Sequence, residues 1–148
     1  MKIAALLIFL AILVDPSHAA DIADNVVGKA KRACELAPDT EFSVRPDAII
    51  RMDVTGDGAA ETLIDSCGFV CKGALSIYGG SAGCPLTIIS GDKSWSYFKQ
   101  AWTTKDWAGK RIIPLWLHGD ACGGAGADPC ALALVWNGRD FVSVLSKQ

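Results

Sequence analysis

The sequence predicts an α+β domain: an N-terminal helix packed on a mainly antiparallel β-sheet and braced by disulfides. Three observations predict it. A single stretch with helical apolar spacing comes first. Short β-rich runs follow, most of them separated by glycine-rich turns, and connections that short favour antiparallel neighbours. The cysteine count is even, at six, in a chain whose N-terminus reads as an export signal.

The helix is expected over Asp21–Leu36, where Ile22, Val26, Ala30 and Ala33/Cys34 fall on one face. Asp21 or Asp24 would cap its start, and Pro38 would end it. Cys34 lies on the apolar stripe, so its disulfide should pin the helix to the sheet. Strands are expected at Ala48–Val54, Thr62–Ser66, Ala74–Tyr78, Pro85–Ser90, Trp95–Trp102, Arg111–His118, Cys130–Trp136 and Phe141–Ser146. Asn137-Gly138 between the last two apolar runs is the strongest hairpin signal in the chain.

Ahead of the helix, Lys2 supplies a positive n-region and Ile3–Val14 an apolar run of 12 residues. Ser17-His18-Ala19 then offers a small-x-small cleavage signal, so residues 1–19 are expected to be a secretory signal peptide. Cleavage after Ala19 is the first expectation and after Ala20 the second. The mature chain, 20–148, would be a single disulfide-bonded domain of 129 residues in the periplasm or secreted. Its net charge stays at −2 and it has no basic patch, which argues against a nucleic-acid partner. Arg111–Leu117 is too short to span a membrane and reads as a buried strand.

All six cysteines (Cys34, Cys67, Cys71, Cys84, Cys122 and Cys130) belong to the mature chain, and three disulfides are expected. Six cysteines allow about fifteen pairings. Cys122–Cys130 is the one pair expected, because it would close the glycine-rich loop CGGAGADPC. The sequence leaves Cys34, Cys67, Cys71 and Cys84 unassigned. A thiolate zinc site is disfavoured, since Cys67-x-x-x-Cys71 has no second close pair.

The stretch DVTGDGAAETLID, Asp53–Asp65, poses a choice between a calcium loop and a tight turn. Calcium takes oxygen ligands at alternate loop positions. Those would be Asp53, Thr55, Asp57, the Ala59 carbonyl and Glu61, with Gly58 at the sharp turn. An EF-hand would need a bidentate Glu where Ile64 stands, and flanking helices where strands are expected. As a turn, Asp53 and Asp57 would cap backbone amides, and Gly56 and Gly58 would supply positive φ. Calcium is thus the one cofactor the sequence raises.

The same stretch resembles the D-x-[DN]-G-D-G-x-x-D loop of FG-GAP and VCBS-type repeats, with Thr55 and Glu61 departing from the usual residues. That likeness implies a strand-loop-strand calcium site; one copy does not make a propeller. The wider arrangement resembles small exported proteins of unknown function in Gram-negative bacteria. In those a D-x-[NT]-G-D-G hairpin precedes a C-G-x-x-G-C-P turn and another strand. YGGSAGCP (Tyr78–Pro85) matches that turn, with Tyr78 where the first cysteine would stand, which implies a different pairing.

No catalytic residue is expected. GGSAG (Gly79–Gly83) fits G-x-S-x-G, with Asp92 or Asp106 and then His118 in hydrolase order. The nucleophile elbow needs a helix after Ser81, yet Cys84-Pro85 and a β-rich run follow at once. His118 is the only histidine left after export, and Asp120 could orient it as a base. A turn histidine is the simpler reading.

Binding is the expected role. Trp116 and Trp136 lie in apolar strands and read as core. Trp95, Trp102 and Trp107 stand among polar residues, where tryptophans stack on sugars or anchor protein partners. Alternation could instead bury some of them, since Trp95, Tyr97 and Lys99 share one strand face. Trp102, Trp107, His118 and Asp120 are the expected partner-binding residues. The expected partner is a cell-wall glycan or a secreted hydrolase acting on it, met by a monomer through the loop His118–Cys130. Periplasmic lysozyme inhibitors are similarly small, exported and disulfide-bearing. The alternative is a structural envelope protein with a calcium-braced loop.

Overall fold

The computed structural model describes residues 16–74, 76–126, 128 and 130–145. The apolar leader Ile3–Val14 and Ser146 lie outside the described residues. The elements are α1 (Pro16–Glu35), β1 (Glu41–Val44), β2 (Ile49–Met52), β3 (Glu61–Asp65), β4 (Phe69–Lys72), β5 (Cys84–Ser90) and β6 (Lys93–Lys99). β7 (Ala101–Trp102), β8 (Lys105–Trp107), β9 (Lys110–Leu117), β10 (Cys130–Trp136) and β11 (Phe141–Leu145) complete the chain. Every described strand pairing is antiparallel, as the short connections require.

The strands divide among three sheets rather than one. A four-stranded sheet runs β2-β3-β5-β6, a five-stranded sheet runs β11-β10-β9-β7 with β8 also on β9, and β1 pairs β4 alone. Strand alternation gives the four-stranded sheet two buried faces. Leu63, Leu86 and Ile88 point to the five-stranded sheet, where they meet Ile113, Leu115, Leu134 and Phe141. Ile64 and Ile89 point the other way and meet Ala48, Phe69 and the helix residues Ile22, Val26, Val27 and Ala30. The helix therefore covers one face of a two-sheet sandwich.

The described helix already includes Pro16–Ala20, so Asp21 and Asp24 lie inside it and do not cap it. Ala19 and Ala20 extend a helix readily. At the other end the Thr40 hydroxyl donates to the carbonyls of Cys34 and Ala37, at 2.7 and 2.9 Å. Cys34 pairs with Cys71, which ties the helix to β4 as its place on the stripe predicts. Phe42, Phe69 and Tyr78 pack edge to face under the helix, and the Tyr78 hydroxyl donates to Ala30 O at 2.7 Å.

Two sequence expectations change. Ala74–Tyr78 is no strand: its described residues form turns and bends, and β5 already has β3 and β6 on its two edges. Trp116 is not core but 42% exposed, because β9 turns that face outward; Trp136 does pack, against Trp95 and Phe141. Pro114 sits inside β9 without losing a ladder bond to β10. Its carbonyl accepts Thr103 N, so its missing N–H faces the gap between β7 and β8. The Asn137-Gly138 hairpin forms, with Trp136 opposite Phe141 and the Asn137 side chain accepting the amides of Arg139 and Asp140.

Candidate functional site

The acidic loop connects β2 to β3, and its carboxylates are engaged within the loop. Asp53 accepts Gly56 N at 2.6 Å and Gly58 N at 3.0 Å, and Asp57 accepts Ala59 N at 2.8 Å. Gly56 and Gly58 have φ of 83° and 89°, the left-handed region a glycine enters freely. The Gly56 amide, with that of Gly58, holds the Asp53 carboxyl below the usual carboxylate range. Glu61 turns inward: it is 3% exposed and accepts Val54 N at 2.8 Å, Thr55 N at 3.3 Å and the hydroxyls of Thr55 and Ser90. Glu61 thus braces the loop from inside while Asp53 and Asp57 stay at the surface. The carboxylates of Asp53, Asp57 and Glu61 do not form a cluster within 4.8 Å. Among the described residues, the one trio of His, Cys, Asp or Glu ligand atoms within 4.8 Å is Asp65, Cys67 and Cys84.

Glu61→Ala should therefore destabilise the oxidised protein by about 2 kcal/mol, the cost of stranding buried amides. Calorimetry of wild type and variant checks it.

The remaining candidates are placed far apart. Trp107 is 69% exposed on β8 beside the start of β9, where Arg111 ties Asp106 to the Asp53 carbonyl. His118 and Asp120 follow the other end of β9, a strand of 8 residues, so roughly 25 Å separates the two groups. Trp102 is no free anchor. It packs on the inner core, and its indole N–H donates to Asp65 Oδ2 at 2.7 Å.

The loop after β9 is built from its own hydrogen bonds. A single 3-10 turn spans Gly119–Cys122. Ala121 N donates to His118 O at 2.9 Å, Gly124 N to Gly119 O at 3.0 Å and Ala125 N to Asp128 Oδ2 at 2.9 Å. Gly119 is buried beneath Ala125, where any Cβ would collide with the Ala125 carbonyl. The Cys122–Cys130 disulfide closes the loop, as the sequence predicts. His118 Nδ1 lies 3.2 Å from Asp120 Oδ2, and the Asp120 side chain is 72% exposed. Residues 120–124 are exposed, and Asp120 is the one charged side chain among them.

Ser81 sits in the tight link between Gly80 and Gly83, whose backbones bond each other, and β5 follows directly. No helix follows it, so the elbow geometry is missing.

A second constellation, which sequence reasoning did not single out, lies at one end of the sandwich. Lys99 is 2% exposed, and its ammonium donates to Asp65 Oδ1 at 2.6 Å. Asp65 also accepts Cys67 N at 3.0 Å and the Trp102 indole. The Lys99 ammonium stands 3.1 Å from Cys84 Sγ and 3.5 Å from Cys67 Sγ, and those two cysteines form the third disulfide. The signal was present: Lys99 shares a strand face with Trp95 and Tyr97, so an apolar inner face ends in a charge. Its partner was not visible, because Asp65 is distant in sequence.

No protein-family model matches this sequence, and no curated protein or solved structure shows significant similarity to it.

Proposed function

We propose that this chain is an exported binding domain, inhibitor-like in mode, whose contact element is the loop His118–Cys130 and whose partner is a cell-wall glycan or a secreted hydrolase acting on it. The observation that carries this reading is the prestructured tip. A loop already fixed by a disulfide and internal hydrogen bonds loses little further freedom on binding, so more of its contact energy appears as affinity. Its exposed end carries a carboxylate, Asp120, oriented by His118. An acidic tip of this kind suits a basic cleft, such as that of a cationic hydrolase. The three disulfides fit an oxidising compartment, and none of the described helices is long and apolar enough to cross a membrane. Trp107, at the other end of β9, belongs to a separate surface in this reading.

The test is retention of the oxidised mature protein on purified cell wall and on immobilised lysozyme, with lysozyme activity measured beside it. Retention on either, or inhibition, supports the reading. Absence of all three removes it.

A further inference from the structure

We propose that Cys67–Cys84 is a redox-active disulfide that exchanges with an exogenous dithiol by attack at Cys67, with Cys84 leaving as a thiolate against the Lys99 ammonium. The inference is independent of the binding loop.

The three disulfides sit in different surroundings. Cys34 and Cys71 are both buried. Cys122 and Cys130 close a surface loop. Only at Cys67–Cys84, among the described residues, does a charged donor reach the sulfurs. Cys84 is fully buried on the inner face of β5, directly opposite Lys99 on β6. Cys67, in the 3-10 turn Ser66–Gly68, is exposed. The pair is therefore asymmetric, with one sulfur open to a nucleophile and the other held inside beside a cation.

The Lys99 bonding pattern gives that asymmetry a direction. One of its contacts is the Asp65 carboxylate; the other two are disulfide sulfurs, which are weak acceptors. While the bond is oxidised, the Asp65 carboxylate is, among the described residues, the one full counter-charge beside the buried ammonium. Reduction turns Cys84 Sγ into a thiolate, a full counter-charge at the same position. A neighbouring cation favours the thiolate, and a better leaving thiolate speeds exchange. Asp65 Oδ1, 3.5 Å from Cys84 Sγ, opposes the thiolate by its charge but is itself occupied by Lys99, Cys67 N and Trp102. It is also placed to accept the S–H bond when Cys84 is protonated. A groove of about 320 Å³, lined by Ser66, Phe69, Tyr78 and Gly79, reaches both Cys67, which is exposed, and Cys71, which is 3% exposed, so a partner's thiol entering it meets Cys67 first.

The step balances as thiol–disulfide exchange. One thiolate of the dithiol attacks Cys67 Sγ, a bond forms between those sulfurs, and the Cys67–Cys84 bond breaks with its electron pair going to Cys84. The second thiolate of the dithiol then attacks its own partner sulfur and releases Cys67. The dithiol ends oxidised to a disulfide; of its two protons one passes through solvent to Cys67 and the other is released, leaving Cys84 as the thiolate against Lys99.

The test equilibrates the oxidised mature protein with dithiothreitol redox buffers, traps free thiols by alkylation, and locates them by peptide mass spectrometry. The expected result is that Cys67 and Cys84 are labelled together at potentials where Cys34–Cys71 remains closed and the fold is intact by circular dichroism. Lys99→Met should lower the reduction equilibrium constant at least tenfold, about 30 mV for two electrons. Lys99→Arg, which keeps the charge, should fall between the two. If Lys99→Met does not fold, the order of reduction in wild type and the Lys99→Arg shift decide. The proposal is overturned if Cys67–Cys84 opens only with global unfolding, or if neither substitution moves its equilibrium.

Discussion

Asp65→Ala is expected to destabilise the oxidised protein by about 3–5 kcal/mol, which makes it the most damaging single substitution in the sandwich. Lys99 is 2% exposed and has no other carboxylate within reach among the described residues, so the variant leaves an ammonium buried among sulfurs and an indole N–H without its acceptor. The reverse change, Lys99→Met, should cost less. Asp65 would keep Cys67 N and Trp102 as donors, its side chain is 20% exposed to water, and methionine fills much of the lysine volume. The double variant Asp65→Leu with Lys99→Met should recover a large part of the loss, because removing both charges removes the desolvation cost along with the attraction. Chemical denaturation of the four proteins, analysed as a double-mutant cycle, measures this. Additive losses would mean that the pair does not act as a unit.

Replacing both Cys34 and Cys71 with alanine is expected to cost about 4 kcal/mol, as estimated from the loop-closure entropy of a bridge spanning 37 residues. The loss should be local in its consequences. The bridge is the only covalent tie between α1 and the strands among the described residues, and the helix otherwise rests on Phe42, Phe69, Tyr78 and the outer face of the four-stranded sheet. Amide exchange should therefore accelerate across α1 and β1 before it does in β3, β5, β9 and β10. Uniform acceleration through the sandwich would show that the helix is part of one cooperative unit with it.

Much of this architecture was legible in the chain because alternation and turn chemistry are local. The face shared by Trp95, Tyr97 and Lys99 could be read directly, and it is the inner face of β6. Asn137-Gly138 specified its own hairpin. Closure of Cys122–Cys130 followed from the glycine-rich loop between two cysteines at a sequence separation of 8. What could not be read depends on register and on sheet assignment. β1 and β4 are only 4 residues each and pair across the Cys34–Cys71 region, so neither gives a periodic signal of its own. Trp116 looked like core because its strand is apolar on both sides, and only the position of β9 between β10 and β7 decides which face meets the other sheet. The acidic loop is the instructive case. Spacing shows Asp53, Asp57 and Glu61 at alternate loop positions but not that Glu61 turns inward to the Val54 and Thr55 amides while the aspartates accept amides of the turn. The Asp65–Lys99–Cys84 cluster needed three strands in register, and no local pattern encodes that.

The most direct test of the binding-domain reading is the affinity of the oxidised mature protein for lysozyme and for purified cell wall, with Asp120→Lys and Phe98→Glu measured beside wild type. Asp120→Lys reverses the charge of the exposed tip, and Phe98→Glu alters the exposed face of β6 away from it. The account predicts that wild type and Phe98→Glu bind alike and that Asp120→Lys loses at least tenfold in affinity with an unchanged thermal midpoint. Equal binding by Asp120→Lys, or loss confined to Phe98→Glu, would contradict it.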